Sequence, residues 1–275
     1  MAPPKRLDSL SVAVVQLNAG NFWPDNFQKA LDFSQQAIRK KAQVIVFPEN
    51  FISRGTHLDL QELADHATPL VLGKFQELAR QHKVHFLLGS LVEKSEKKDA
   101  FYNSSFLINS PGNISARYRK MHLFDIDLPG MAIKESDYFL KGQKPVAGKI
   151  ERHLCGLTIC YDLRFPELFR VYSAKLCRII FVPANFTYRT GKDHWEILLR
   201  ARAIENLCFI IAAGQSGVNP GNGVKSFGSS MIIDPWGKIV GKLGPKGEGI
   251  LLRTIDLSKC DQIRRCLPAL SHRAL

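Results

Sequence analysis

The chain has 275 residues, of which 45% are hydrophobic and 23% charged, a balance that supports a packed core and argues against wholesale disorder. No run approaches the ~18 apolar residues that a membrane span requires. The opening MAPPKRLDSLSVAVVQL lacks a small-residue cleavage pattern and reads as a first strand, so the expected setting is the cytoplasm, away from membranes. The formal net charge is +13, yet the cations are dispersed, with only short clusters such as Arg39-Lys40-Lys41 and Arg264-Arg265. Without a zinc finger or RNA-binding signature beside them, they do not predict a nucleic-acid partner.

In chain order, SVAVVQL (11–17) is a strand, and the spacing of Phe27, Ala30, Leu31, Ser34, Ala37 and Ile38 predicts a helix over 26–41. QVIVFPEN follows as a buried strand broken by proline. A helix over 70–82 and a strand over 84–91 come next, then two strands (101–109 and 114–119) around the turn Ser110-Pro111-Gly112-Asn113. From Met121 to Pro145 the pattern is irregular, a loop long enough to carry function. The second half reads as strand 154–160, helix 166–174, strand 178–182, helix 194–206 and four further strands, at 208–213, 226–234, 239–243 and 249–256.

QVIVFPEN and RIIFVPAN echo each other, since both follow a helix, run apolar, and break at Pro-Xaa-Asn. Each half alternates strand and helix. The expected architecture is therefore α/β, two related sheets flanked by helices in a four-layer α-β-β-α sandwich, one domain over 1–275.

Six cysteines occur, none in a CxxC pair, and most sit in apolar runs. This fits a reduced interior better than a disulfide framework or a zinc ribbon. No metal-ligand cluster or phosphate loop is recognisable, so no cofactor and no metal are expected.

Parallel strands bring their carboxyl ends to one edge, where α/β proteins bind ligands. Three predicted strand ends carry reactive groups: Glu49 after VIVFP, Lys120 after ISARYR, and Cys160 after GLTI. Each alone has an ordinary explanation as a cap, a solvated surface cation or a core filler. Together they offer amide chemistry its parts: a nucleophile, a proton carrier, and positive charge near a developing oxyanion. A carboxylate can take the thiol proton, and an ammonium favours the thiolate.

The segments PEN, YRKMHLFD and ICYDLRFPEL, in that order, resemble the nitrilase (carbon–nitrogen hydrolase) superfamily. PANFTYRTGKDHWEILLRARAIEN and SMIIDPWGKIV extend the resemblance over nearly the whole chain. It implies the α-β-β-α sandwich, a Glu-Lys-Cys triad at Glu49, Lys120 and Cys160, and a thioester intermediate. It also implies an oxyanion contact from the backbone N–H of Tyr161, and a second acid beside the triad, Glu135 of IKES, that positions the substrate or the lysine. The same likeness places Phe186 and Thr190 of NFTYRTG in the substrate pocket.

Arg164, four residues after Cys160, offers a planar fork suited to a substrate carboxylate. An internal ion pair with Asp162 or Glu167 is the competing reading. His194, at the expected start of a helix, is read as structural. Ile197, Leu198, Ala201 and Ile204 form a stripe that packs in the core or, as the family implies, against a second subunit in a homodimer or higher homo-oligomer.

Among branches, HLFDIDLPG, FTYRTGKDHWE and LPALSHR resemble the deaminated glutathione amidases and the neighbouring ω-amidases. The expected partner is thus a small amide bearing a 2-oxo acid: deaminated glutathione, or alternatively 2-oxoglutaramate. Nitrilase and N-carbamoyl hydrolase activities share the same triad. Relatives commonly run past the terminal HR, where this sequence stops at Arg273-Ala274-Leu275, so contacts made by such a tail are not carried over. A papain-like Cys-His hydrolase and a non-catalytic module for anionic partners are the rival classes.

Overall fold

Alternation along short apolar strands builds the layers of this protein, whose computed structural model describes residues 8–55, 59–128, 131–219 and 221–274. Pro129 and Gly130 of the HLFDIDLPG segment and the terminal Leu275 lie outside the described residues. In chain order the strands are β1 (Ser9–Gln16), β2 (Val44–Val46), β3 (His85–Lys94), β4 (Phe101–Ile108), β5 (Ile114–Arg119), β6 (Asp125–Leu128) and β7 (Met131–Lys134). They continue with β8 (Ala147–Ile150), β9 (His153–Leu157), β10 (Ile179–Ala184), β11 (Phe209–Gly214), β12 (Met231–Ile233), β13 (Ile239–Lys242) and β14 (Gly249–Asp256).

The main sheets have the orders β14-β1-β2-β3-β4-β5 and β13-β12-β11-β10-β9-β8, and β6 with β7 forms a separate hairpin. Both sheets are wired alike. Three central strands run parallel, β1-β2-β3 in one and β9-β10-β11 in the other, with antiparallel strands at the flanks. The PEN and PAN echo therefore marks equivalent central strands, β2 and β10.

Because successive side chains face opposite ways, Val12, Val14, Val44, Val46 and Leu87 enter the core shared with Leu157, Ile180 and Val182 of the second sheet. Ala13, Val15, Ile45, Phe86 and Leu88 pack instead with Ala30 and Ala37 of helix Trp23–Arg39 and with Val71, Phe75 and Leu78 of helix Thr68–His82. Helices Pro166–Ala174 and Tyr188–Asn206 cover the second sheet through Leu168, Phe169, Trp195, Leu199 and Ala203. The result is the α-β-β-α order expected from the sequence.

Three local differences matter. The stretch read as irregular holds the β6–β7 hairpin and a 3-10 turn at Glu135–Asp137. Helix Tyr188–Asn206 starts six residues earlier than the pattern suggested, so His194 lies within it. TYRTGKD shows no apolar stripe because Tyr188, Arg189, Lys192 and Asp193 all project outward. A terminal helix, Ser258–Cys266, went unread because only Cys260 of it is buried.

Candidate active site

Carboxyl ends of both sheets meet at one edge. Glu49 leaves β2 through Phe47-Pro48, where the proline ends the ladder, and Asn50 turns the chain in the left-handed region at φ +54. β3 passes so close that a Cβ on Gly89 would lie 2.1 Å from the Phe47 carbonyl oxygen, so glycine is required there. Lys120 directly follows β5; its N–H donates to Asn103 O at 2.9 Å, and its carbonyl accepts from Gly142 N at 2.7 Å.

Cys160 comes three residues after β9 and opens the 3-10 turn Cys160–Arg164 at φ +47. A non-glycine residue held there costs on the order of 1 kcal/mol, a strain the surroundings must hold. Asp162 supplies the hold. Wholly buried, it accepts from Ile159 N at 2.8 Å, Tyr118 OH at 2.7 Å and His122 N at 3.2 Å, and its Oδ1 lies 2.6 Å from His122 Nδ1. These bonds tie the cysteine turn to β5 and to the segment that carries Lys120.

Four of the expected residues converge. Lys120 Nζ lies 2.8 Å from Glu49 Oε1, and 2.7 and 3.0 Å from the two oxygens of Glu135. Glu49 Oε2 accepts from Asn185 N at 2.8 Å. Glu135 enters from the end of β7 and accepts from Phe124 N at 2.7 Å. The buried Cys160 thiol stands within the influence of both groups: the Glu49 charge and the Lys120 charge act on it in opposite directions. A Cys-His hydrolase would need an imidazole where Glu49 stands.

Burial works against the Lys120 charge, but the Glu135 and Glu49 carboxylates outweigh it and hold the lysine pKa well above the ordinary value. Cys160 moves the other way from the thiolate expectation: burial first, and then the Glu49 charge, push its pKa well up, against the pull of Lys120. Both directions favour an ammonium at Lys120 and a neutral thiol at Cys160 in the resting site. The thiol proton must leave as the sulfur attacks. Cys155, Cys177, Cys208 and Cys260 are also buried thiols raised mainly by burial, but they sit among core side chains without this cluster.

Three of the four expected pocket residues, Tyr161, Arg164 and Phe186, pack against one another. Tyr161 packs edge-on against Phe124 and Phe165, with centroids at 4.9 and 5.4 Å. His122 stacks flat on Phe165 at 3.7 Å. The Arg164 guanidinium lies over Phe186 at 5.3 Å and Tyr161 at 5.9 Å, and both of its terminal nitrogens are 3.3 Å from His194 Nδ1. Among the described residues no carboxylate pairs with Arg164, so the ion-pair reading with Asp162 or Glu167 is not what the structure shows. Thr190 meets Thr187 through their hydroxyls at 2.9 Å, a contact within its own helix start that does not reach the cluster.

Sequence reasoning missed Asn103 and Asn185. Asn103 on β4 donates from one nitrogen to Glu49 Oε1 and Glu135 Oε1, both at 3.0 Å. Asn185 had a signal, the Pro-Xaa-Asn echo. Among the described residues, no three His, Cys, Asp or Glu side chains converge as a metal site, and no helix is long and apolar enough to cross a membrane.

A family model for carbon-nitrogen hydrolases matches residues 11–265. The Caenorhabditis elegans nitrilase and fragile histidine triad fusion protein NitFhit is 38% identical over 272 residues, 95% of this chain but 60% of the fusion, so the chain spans well under two thirds of that relative. Its crystal structure superposes with a TM-score of 0.88, covering 97% of this chain and 65% of that one at 36% identity. A deaminated glutathione amidase of Synechocystis is 37% identical over 265 residues, 95% of this chain and 97% of its own. Saccharomyces cerevisiae Nit3, a member of branch 10 of the nitrilase superfamily, superposes at TM-score 0.84 with 27% identity, covering 98% of this chain and 97% of that one.

Proposed function

The chain belongs to the carbon–nitrogen hydrolase family, and from that membership we propose that it is a cysteine amidase in which Glu49, Lys120 and Cys160 work as one unit. The observation that carries this reading is the buried contact of one thiol, one ammonium and two carboxylates. Such burial of charge is costly unless each ion is paired, and here every ion is.

Cys160 Sγ attacks the amide carbon while its proton passes to Glu49. The carbonyl oxygen becomes an oxyanion facing the Lys120 ammonium and the Tyr161 N–H, which lies in the first turn of its helix and lacks an upstream partner within it. As the C–N bond breaks, Glu49 returns the proton to the leaving nitrogen. Water then gives a proton to Glu49 and attacks the thioester, releasing the acid and the thiol. Glu135 holds Lys120 in place throughout and faces the substrate amide.

The substrate we propose is the amide of a small carboxylate-bearing 2-oxo acid, deaminated glutathione first, with 2-oxoglutaramate next. Two findings support it: the relatives bearing that name, and the Arg164 fork left without a carboxylate. Exposed Ile197 and Ile204 on helix Tyr188–Asn206 support a two-fold subunit contact, and a reduced cytoplasmic setting suits the free thiols.

The test is a panel of deaminated glutathione, 2-oxoglutaramate, a nitrile and an N-carbamoyl acid, read by released amine and by intact mass. Turnover of the oxo-acid amides, with an acyl adduct on the parent and none on Cys160→Ala, is the expected result. Full turnover by the alanine variant removes the nucleophile, and turnover of the nitrile or carbamoyl compound alone removes the amidase assignment.

A further inference from the structure

Arg54 is as buried as the catalytic cluster, at 2% exposure, and lies five residues beyond Glu49. A buried cation is ordinarily met by a carboxylate. This one is not. Its five N–H donors face five neutral oxygens: Ala19 O at 3.2 Å from Nε, Ser226 Oγ at 2.7 Å and Asn185 Oδ1 at 3.4 Å from Nη1, and Asn18 Oδ1 together with Val218 O at 3.0 Å from Nη2. Among the described residues it forms no ion pair. Burial draws its pKa down to about 10, which leaves the charge intact at neutral pH.

Two of those oxygens lead to the site. Ser226 Oγ also donates to Asn185 Oδ1 at 2.6 Å, so arginine and hydroxyl together clamp the Asn185 side chain. The backbone N–H of that same residue donates to Glu49 at 2.8 Å. We propose that Arg54 is a positioning residue for the hydrolysis: it fixes Asn185, and through it Glu49. Among the described residues the side chains and backbone groups bonded to Glu49 are Lys120, Asn103 and Asn185, and those bonded to Arg54 are all neutral.

This inference rests on Glu49 as the proton carrier, and the experiment separates the two. The kcat and KM of the purified protein on deaminated glutathione are measured for the parent, Arg54→Met, Arg54→Lys and Glu49→Gln, with folding checked by circular dichroism. Arg54→Met leaves Asn185 unclamped and should lower kcat on the order of ten-fold while leaving KM within about two-fold. Arg54→Lys cannot reach all five oxygens as the planar fork does and should recover only part of kcat. A folded Arg54→Met with the parental kcat overturns the inference. If that variant does not fold, Ser226→Ala decides: it unclamps Asn185 and should lower kcat several-fold with KM unchanged, and a parental kcat overturns the proposal. Glu49→Gln at full turnover would instead overturn the proposed mechanism.

Discussion

Asn103 Nδ2 lies 3.0 Å from Glu49 Oε1, and the same nitrogen bonds Glu135. Among the described residues its buried Oδ1 meets no partner, a cost of about 1–3 kcal/mol that accompanies a donor held between two carboxylates. Asn103→Asp would place a third carboxylate there. We expect kcat/KM to fall on the order of a hundred-fold or more, and unfolding free energy to drop by roughly 3 kcal/mol at pH 8, as for a buried unpaired charge. Urea titration and initial rates measure both, and a fully active, equally stable variant would show that the amide bridge does nothing.

Glu49→Gln separates two properties that are expected to fall together in a simple view of the triad. Hydrolysis loses its proton carrier and should drop by a factor of about a thousand, within the range for general acid–base groups. The thiol should nonetheless become easier to ionise. Beyond burial, the Glu49 charge is what raises the Cys160 pKa, and Lys120 remains to pull it down. Iodoacetamide labelling of Cys160, followed by peptide mass in a Cys266→Ser background, should therefore shift to lower pH in the variant. A shift to higher pH contradicts the sign of this coupling.

Gly89 tests how tightly the backbone carries Glu49. A methyl group there would stand 2.1 Å from Phe47 O and 2.4 Å from Pro48 O, both backbone atoms. Strand β3 or the Glu49 turn must move. Gly89→Ala should lower stability by about 1–3 kcal/mol, as overpacking does, and reduce activity by more than that loss of folded protein explains. Thermal melts paired with rates on the folded fraction provide the check.

Much of the site was legible because strand ends advertise themselves. Glu49 and Cys160 close apolar runs, and Lys120 ends an alternating one, so the sheet edge could be drawn before any coordinates. What stayed hidden depends on tertiary placement. Asn103 sits inside FYNSSFLI, where period-two alternation marks it only as one polar position among several. DIDL and MAIK are too short and too mixed to announce a hairpin, and so Glu135 came from family likeness rather than pattern. Arg54 reads as a surface cation in a loop, and nothing local says that five oxygens from distant segments will enclose it. The resting protonation of Cys160 also escaped, since burial and the Glu49 charge outweigh the lysine only in three dimensions.

Arg164 carries the choice of substrate. Its fork rests on Phe186 and Tyr161 and, among the described residues, the His194 ring is the polar side chain it meets, leaving donors for an incoming carboxylate. A charge-assisted hydrogen bond is worth about 1.5–3 kcal/mol, so Arg164→Ala should raise KM for a 2-oxo acid amide by roughly ten- to a hundred-fold. Since the contact is made equally in ground and transition states, kcat should change little. Arg164→Lys should recover only part of the affinity, because a point charge cannot engage both carboxylate oxygens as the planar fork does. The control is the same amide with its carboxylate esterified, which the parent should bind weakly and the alanine variant no worse. Equal losses on acid and ester would mean that Arg164 acts by packing against Phe186 and Tyr161, and the carboxylate reading would go.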